Sequence, residues 1–293
     1  MQELYRKKKI YVILHESEIL KKGSHIFHLK GYSRVVGPYF KKLSQIIRGN
    51  FYLYVLIRKM APFLCRYFLL EDGFNVLSII KFSKSTGVII DVGSNDGTSI
   101  AMIRQYFKQE IIWAFDPVVK YNKINKNIVF KNLACGNVES TLFIYVPWVG
   151  RYRFSQYSST STDYIDAQLR KDLKIKNRQV TFEKVATYVV QIDSFDLNPI
   201  FIKIDVEGYE LIVLQGAKRT ITKYKPVVLV EINDLSKFDN IYHFLKELGY
   251  ICVETWGRKK IKYKEISQFT KNINNYSFIS PSLLQFGSAD DKE

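Results

Sequence analysis

The sequence predicts an α/β fold, in which a doubly wound sheet of seven strands is covered by helices and preceded by a mostly helical extension. From about residue 87 onward, short runs of β-branched and aromatic residues alternate with amphipathic helical patterns. One of these runs passes through a glycine turn into a helical pattern. The chain has 293 residues, 47% hydrophobic and 25% charged, which suffices for one large α/β domain with an appendage. Such alternation is typical of a parallel sheet covered on both faces.

The N-terminal third is basic, and we assign residues 1–84 to the extension. Residues 1–90 hold 16 Lys and Arg against 5 Asp and Glu, so +11 of the net charge of +16 lies there. This charge favours an anionic membrane surface, a phosphorylated substrate or nucleic acid, although lysine-rich surfaces also occur without a partner. The segment 51–74 is the most apolar part of this third. Because Pro62 breaks or kinks a helix, we expect two short helices packed against the next domain, with peripheral membrane contact as the alternative.

The cysteines and the hydropathy pattern indicate a cytoplasmic protein. Cys65, Cys135 and Cys252 are far apart and match no C-x-x-C spacing, so they predict neither a disulfide framework nor a zinc site. The first residues include only a short apolar run, unlike a signal peptide. No stretch reaches the roughly 18 apolar residues that a membrane-spanning helix needs. These features stay compatible with peripheral contact at the inner face of a membrane.

The second domain is predicted at residues 85–285, followed by an acidic disordered tail at 286–293. Its strands are runs rich in Val, Ile, Phe and Trp, and its helices begin or end at Thr or Gly signals. The predicted strands are 88–92, 111–116, 128–134, 201–205, 227–232, 250–256 and 275–280, and the helices are 98–107, 209–221 and 238–249. Residues 140–147 predict an added β segment. The polar and aromatic stretch 151–179 predicts a lid or binding loop.

The stretch VIIDVGSNDG, residues 88–97, predicts a strand, a glycine turn and the start of a helix. Such a turn lets a ligand approach the backbone closely. A dinucleotide fingerprint needs G-x-G-x-x-G, but the middle glycine is missing and Asp96 would repel a phosphate. The Gly-Lys-Ser/Thr of a P-loop is also absent. The turn, with Asp91, Gly93 and Gly97, therefore favours a cationic ligand without phosphates.

The second strand ends in FDP, which places Asp116 at the same edge of the sheet as Asp91. An acid at this strand end can accept both hydrogen bonds of a ribose diol. A ligand with a ribose, no pyrophosphate and a charged amino-acid part near Asp91 and Asn95 is S-adenosylmethionine. The alternative for Asp116 is a solvated acid before a proline turn.

A second acidic group is carried by FIKIDVEGYELIVLQGA, residues 201–217. A buried strand brings Asp205 to the carboxyl edge of the sheet, where doubly wound folds bind ligands, and Glu207 follows two residues later. Glu231 closes the next strand and is expected to join them. Unpaired buried carboxylates are costly, so their number predicts a functional cluster. A local cap or salt bridge is the alternative for Glu207.

These segments resemble the FkbM family of S-adenosylmethionine-dependent methyltransferases. The resemblance is carried, in chain order, by VIIDVGSNDG, WAFDP, NLACGN, YSSTS, QIDSF, IKIDVEGYE with LQGA, PVVLVEIN and YSFIS. It covers residues 88–281, about two thirds of the chain, and IDVEGYE is its most family-specific part. It implies a class I methyltransferase fold with an antiparallel last strand. It also implies, most often, O-methylation of sugars or related hydroxyls in glycan, lipid or secondary-metabolite pathways.

The resemblance assigns residues to the cofactor and to the reaction. The cofactor residues would be Asp91, Gly93, Asn95 and Gly97 at the turn, Asp116 at the ribose, and Ala134 and Cys135 near the adenine. Asp205, Glu207 and Glu231 would border the methyl-transfer site. Because methyl transfer is an in-line displacement, the acceptor oxygen must be aligned and deprotonated, and Asp205 or Glu207 is the predicted base or anchor. A divalent metal held by these three carboxylates is an option without support in the sequence.

The expected partner is a small-molecule or glycan acceptor, and two other functions stay open. The basic extension would suit an RNA methyltransferase, whose affinity would fall steeply with salt. No RNA-binding module is recognisable, however, so nucleic acid is disfavoured. The second alternative is a non-catalytic scaffold that binds S-adenosylmethionine. The intact carboxylates Asp91, Asp116, Asp205 and Glu207 argue against it.

Overall fold

The computed structural model describes most of the second domain. The described residues are 51, 55–56, 73–78, 86–120, 126–175, 178–256, 260–263 and 275–283. The predicted tail at 286–293 lies outside them, as does nearly all of the extension at 1–84, including its two predicted short helices.

The described part contains two sheets and five α-helices. The strands are β1 (Val88–Val92), β2 (Ile112–Phe115), β3 (Ile128–Lys131), β4 (Ala134–Cys135), β5 (Ser140–Val149), β6 (Tyr152–Arg153), β7 (Val180–Val190), β8 (Pro199–Ile204), β9 (Val227–Glu231), β10 (Ile251–Trp256), β11 (Lys260–Tyr263) and β12 (Asn275–Ile279). The helices are α1 (Thr98–Tyr106), α2 (Thr162–Leu173), α3 (Glu210–Gln215), α4 (Lys218–Tyr224) and α5 (Phe238–Glu247).

The larger sheet has the strand order β11-β10-β12-β9-β8-β1-β2-β3. Strands β3, β2, β1, β8 and β9 pair in parallel, and β12 runs antiparallel to both β9 and β10. Each of the seven predicted strands has a counterpart in this sheet, and the last of them is antiparallel. The predicted fold class is therefore confirmed, and the carboxyl ends of β1, β2, β8 and β9 lie at one edge.

The sheet has one strand more than predicted. Strand β11 pairs antiparallel with β10 and extends the sheet at its edge. Its sequence, KIKY, alternates lysine with apolar residues. This lysine-rich pattern is typical of an edge strand, because charge there opposes pairing with another chain. The sequence prediction omitted β11 because a four-residue run with two lysines has little apolar signal.

The excursion between β3 and β8 builds the second sheet, of order β4-β7-β5-β6. The predicted β segment at 140–147 is present and longer, since β5 pairs antiparallel with β7 along its full length. The stretch 151–179 is not a plain loop, because it contains the helix α2, which Ser161 caps by accepting a hydrogen bond from Tyr164 N at 3.3 Å. The predicted strand 128–134 is divided between β3 and β4, which belong to different sheets.

The predicted helix 209–221 is also divided, into α3 and α4, at Gly216. The carboxylate of Asp193 accepts hydrogen bonds from Arg219 N at 2.9 Å and Thr220 N at 2.8 Å, which caps the start of a new helix. Gly216 O accepts from Asp193 N at 3.0 Å. A Cβ on Gly216 would lie 1.8 Å from Gly136 O, so this position needs glycine for a tertiary contact with the second sheet.

Both faces of the larger sheet are buried. Ile90, Ile202 and Val228 point to a cluster that includes α3 and α5, whereas Ile89 and Phe201 point to a cluster with α1. Neighbouring residues of one strand thus pack on opposite helical layers, as the continuous apolar runs of a parallel sheet require. None of the described helices is long and apolar enough to cross a membrane.

The carboxyl ends of β1 and β8 approach each other very closely at Gly93. This residue has φ +80°, and an added Cβ would lie 1.7 Å from the carbonyl oxygen of Asp205. Asp205 N donates to Val92 O at 3.0 Å and continues the pairing of the two strands. Glycine is required here both for its backbone conformation and for space.

We expect Gly93→Ala to lower the free energy of unfolding by about 3 kcal/mol or more, because it adds a clash with backbone to the strain of positive φ. Gly249→Ala is the matched control, since Gly249 has φ +79° and nothing within 4 Å of its added Cβ. It should cost only about 1 kcal/mol. Urea unfolding of both variants tests this, and equal losses would contradict the role given to the strand contact.

Candidate functional site

A cavity of about 320 Å³ opens at the carboxyl ends of β1, β2, β8 and β9. It is lined by eight of the ten residues predicted from the sequence: Gly93, Asn95, Asp116, Ala134, Cys135, Asp205, Glu207 and Glu231. Its size is at the lower end of the range of small-molecule sites. The glycine turn, the second strand end and the acidic segment after β8 therefore meet in one place.

The two remaining predicted residues support the turn from outside the cavity lining. Gly97 precedes the first residue of α1 with φ +83°. Asp91 is fully buried, and its Oδ2 accepts a hydrogen bond from Ser99 Oγ at 2.6 Å. Its Oδ1 accepts none from the described residues and lies 4.0 Å from Lys203 Nζ. Burial raises the pKa of Asp91, and the charge of Lys203 opposes that rise.

Asp116 is held by the backbone of two turns. Its Oδ2 accepts from Asn95 N at 2.9 Å, and its Oδ1 accepts from Val118 N at 2.9 Å and Val119 N at 2.8 Å. Burial raises the pKa of Asp116, and these hydrogen bonds oppose the rise. Because a carboxylate offers about four acceptor positions, about one is left, on Oδ2. This arrangement leaves one acceptor position for a ribose hydroxyl, where the sequence had suggested two.

Lys203 is a component of the site that the sequence prediction missed. Its ammonium group is 2.9 Å from Asp205 Oδ2, and its side chain is only 3% exposed. The β1–β8 register places Lys203 directly opposite Asp91. The signal in the sequence was a lysine inside an apolar strand, two residues before Asp205 and so on the same face.

Glu207 lies in the turn between β8 and α3 with φ +51°, a conformation rare for a residue with a side chain. Burial, together with the charges of Asp205 and Glu210, raises its pKa to about 8. Asn233 Nδ2 is 3.5 Å from its Oε2, which is a weak contact. At neutral pH this side chain is therefore largely protonated and can donate a hydrogen bond.

The acidic residues form no recognisable metal site. Glu231 ends β9 and lines the same cavity as Asp205 and Glu207. Within the described ranges, no group of His, Cys, Asp and Glu side chains is arranged to hold a metal ion. The three carboxylates share the cavity without the close convergence that coordination needs.

The excursion lines the cavity and contacts the glycine turn. Ser155 Oγ donates to Asn95 Oδ1 at 2.7 Å, across sixty positions of sequence. Tyr157 OH donates to Asp172 Oδ2 at 3.1 Å, and both residues line the cavity. Asp172, on α2, was not predicted as a site residue, because the sequence placed it in a long polar stretch, 151–179, with no motif of its own.

The excursion also supplies an apolar wall of the cavity. Ala134 and Cys135 form β4, and Leu133, Leu142 and Ile144 line the cavity near them. Burial raises the pKa of the Cys135 thiol, so it stays protonated and behaves as a small apolar group. This wall can accommodate a flat, uncharged ring.

A family model described as "Methyltransferase FkbM domain" matches residues 91–252. The match spans both acidic segments, the second sheet and most of the larger one. No curated protein matches the sequence.

Two solved structures are similar at low sequence identity. Methyltransferase FkbM from Methylobacillus flagellatus KT is 18% identical over 88% of this chain, with a TM-score of 0.42. This chain spans 63% of the length of that protein, which is less than two thirds. Precorrin-6y C5,15-methyltransferase from Geobacter metallireducens GS-15 is 13% identical, with a TM-score of 0.31, and the match covers 70% of this chain and 82% of that one.

The raised pKa of Glu207 predicts that the stability of the protein falls as pH rises from about 5 to 8. Between its ordinary pKa of 4.5 and the folded value of about 8, the folded state holds a proton that the unfolded state releases. Each pH unit within this window costs up to about 1.4 kcal/mol. Glu207→Gln removes this dependence, so the variant should gain stability relative to the wild type toward pH 8.

Chemical unfolding of both proteins at pH 5.5, 7 and 8.5 measures this difference. Glu247→Gln is the control, because Glu247 is an exposed glutamate on α5. It should follow the wild type at every pH. If the curve of Glu207→Gln also runs parallel to the wild type, Glu207 does not titrate in the way described.

Proposed function

The chain belongs to the FkbM methyltransferase family, and from that premise we propose that it is an S-adenosylmethionine-dependent O-methyltransferase acting on a hydroxyl of a sugar, glycolipid or polysaccharide precursor. The observation that carries the proposal is the single cavity that joins the glycine turn and Asp116 to Asp205 and Glu207. One half of this cavity suits a methyl donor, and the other half suits a hydroxyl acceptor.

The charge of the cavity supports a cationic donor. Six carboxylates line it, namely Asp96, Asp116, Asp172, Asp205, Glu207 and Glu231. Among the described lining residues, Lys203 is the one cation. Such a lining repels phosphates and attracts a sulfonium ion and an ammonium group.

Unsatisfied polar atoms near the turn support a ligand at the same place. Ser94 lines the cavity, and its buried hydroxyl has no hydrogen-bond partner among the described residues. Buried polar atoms are rarely left unpaired, so a ligand group is a suitable partner. Asp116 and the apolar wall at β4 offer further contacts for a ribose hydroxyl and a flat ring. The residues present thus fit S-adenosylmethionine.

The reaction asks two things of this chain. Bound S-adenosylmethionine supplies a methyl group on a positively charged sulfur, and this sulfur is the leaving group that the acceptor oxygen displaces in line. Asp205, fixed by Lys203, accepts a hydrogen bond from the acceptor hydroxyl and takes its proton as the new bond forms. Protonated Glu207 donates a hydrogen bond to a neighbouring oxygen of the acceptor and so orients it.

The half of the cavity at Asp205 and Glu207, where the acceptor would bind, favours a polyhydroxyl compound over RNA. Carboxylates accept hydrogen bonds from hydroxyl groups, and Tyr157 and Tyr209 at the cavity supply rings on which a sugar can pack. A phosphodiester at Asp172 would meet like charge at short range. The scaffold alternative gains no support from a cavity that keeps carboxylates at its acceptor side.

The location of the reaction is part of the same proposal. We place the protein in the cytoplasm, where its basic N-terminal third contacts the inner face of an anionic membrane. This third carries +11 of the net charge but falls almost entirely outside the described residues.

Isothermal titration of the pure protein tests the cofactor. S-adenosylmethionine and S-adenosylhomocysteine should both bind, whereas NADH should not, because its pyrophosphate meets the acidic turn. Asp116→Ala should weaken binding more than tenfold, since it removes both the ribose acceptor and the anchor of Asn95. Glu207→Gln should bind both sulfur compounds as the wild type does.

Thermal unfolding of Asp116→Ala shows whether this variant has lost structure. Asp116→Asn is a second control, because it removes the charge and retains the size of the side chain. Absence of binding of both sulfur compounds by the wild type would refute the proposal. Weak binding by Glu207→Gln with normal binding by Asp116→Ala would mean that the two halves of the cavity are assigned the wrong way round.

Flotation of the full chain with vesicles tests the membrane contact. We expect it to float with vesicles rich in phosphatidylserine and to sediment with phosphatidylcholine alone, because the contact is electrostatic. Salt at 0.5 M should abolish flotation. Flotation that is equal with both lipids would contradict a contact through the basic residues.

A further inference from the structure

Lys203 is a buried cation surrounded by carboxylates. Its side chain is 3% exposed, and its ammonium group is 2.9 Å from Asp205 and 4.0 Å from Asp91. Both acids come from strands at the centre of the sheet, which are paired in register at this point. The lysine also lines the cavity.

Other groups around Lys203 come from the neighbouring elements. Asp116, at the end of β2, interacts with its charge, and Ser99 on α1 donates to the far oxygen of Asp91. Asp91 is in turn repelled by the charges of Asp205 and Asp116. Three acids at the ends of three neighbouring strands thus interact electrostatically with one buried lysine.

Removing the cation would leave these acids without compensation. Several kcal/mol oppose the burial of an unpaired charge, so an acid in this position takes up a proton instead. Asp91 is the first to do so, because it is fully buried and its Oδ1 receives no hydrogen bond from the described residues. The turn that follows Asp91 would then lose negative charge where a cationic donor binds.

We propose that Lys203 is a positioning residue for the methyl donor, because its buried ammonium group lies between the carboxylates of Asp91 and Asp205 and fixes them at the two sides of the cavity. This inference rests on the proposed function, since it takes the donor to be S-adenosylmethionine. Lys203 acts through the two acids and is not itself required to touch the donor.

The position of Asp205 follows from the same contact. Its side chain is 26% exposed, so it faces both the lysine and the cavity. The ion pair fixes one carboxylate oxygen and leaves the other for the acceptor hydroxyl.

The test uses S-adenosylhomocysteine as the probe and calorimetry at pH 6.5 and pH 9. In Lys203→Met, which retains much of the side-chain volume, the charge that opposes the rise in the pKa of Asp91 is gone, so Asp91 holds its proton more at the lower pH than at the higher one. Affinity should therefore be about tenfold below the wild type at pH 6.5 and within about twofold of it at pH 9. Taking the ratio to the wild type at each pH cancels the titration of the probe itself.

Three further variants complete the test. Lys203→Arg keeps the charge and should stay within about threefold of the wild type at both pH values. Lys203→Met combined with Asp205→Asn removes the acid that repels Asp91, so binding at pH 6.5 should recover part of the loss. Lys223→Met removes a lysine from an exposed ion pair with Asp196, and it should have no effect at either pH.

The outcomes separate this inference from the proposed function. If the wild type binds neither S-adenosylmethionine nor S-adenosylhomocysteine, the proposed function fails. If it binds both and Lys203→Met is equally weakened at both pH values, Lys203 serves packing alone and the inference is overturned. Unchanged binding by Lys203→Met at pH 6.5 overturns it as well.

Discussion

The contact between the carboxyl ends of β1 and β8 is the constraint on which the site depends. Gly93 packs against the carbonyl of Asp205 with no room for a side chain, and Asp205 N continues the pairing with Val92 O. Because the two strands are parallel, their loops leave from the same edge of the sheet. The glycine turn after β1 and the acidic turn after β8 are therefore held together by backbone, before any side chain contributes.

Electrostatics then divides the cavity into two halves with different protonation. Asp116 is buried but receives three backbone hydrogen bonds, which stabilise its charge. Glu207 is buried beside Asp205 and Glu210 and receives no backbone hydrogen bonds of the kind that Asp116 has among the described residues, so it keeps a proton to about pH 8. Two carboxylic acids of one cavity thereby differ in function. Asp116 accepts hydrogen bonds as a carboxylate, whereas protonated Glu207 can donate one.

The sequence predicted the elements whose signals are local. The strands of the larger sheet were identifiable from apolar runs, and the glycine turn and the acidic segment after β8 from short motifs. It could not divide 209–221 into α3 and α4, since the cap comes from Asp193 on a distant segment. It could not show that backbone amides use most of the acceptor positions of Asp116, because those amides are brought to it by the fold.

Lys203 is a second case in which the fold, and not the local sequence, creates the interaction, here one between charges. In the sequence it is one lysine in a chain with 44 Lys and Arg residues, and its strand reads as apolar. Its importance appears only when the β1–β8 register places it opposite Asp91 and strand alternation turns it toward Asp205. The basic character of the chain and the acidic character of its cavity are thus separate properties. The first describes the N-terminal third, whereas the second is built by folding and governs which molecules the cavity accepts.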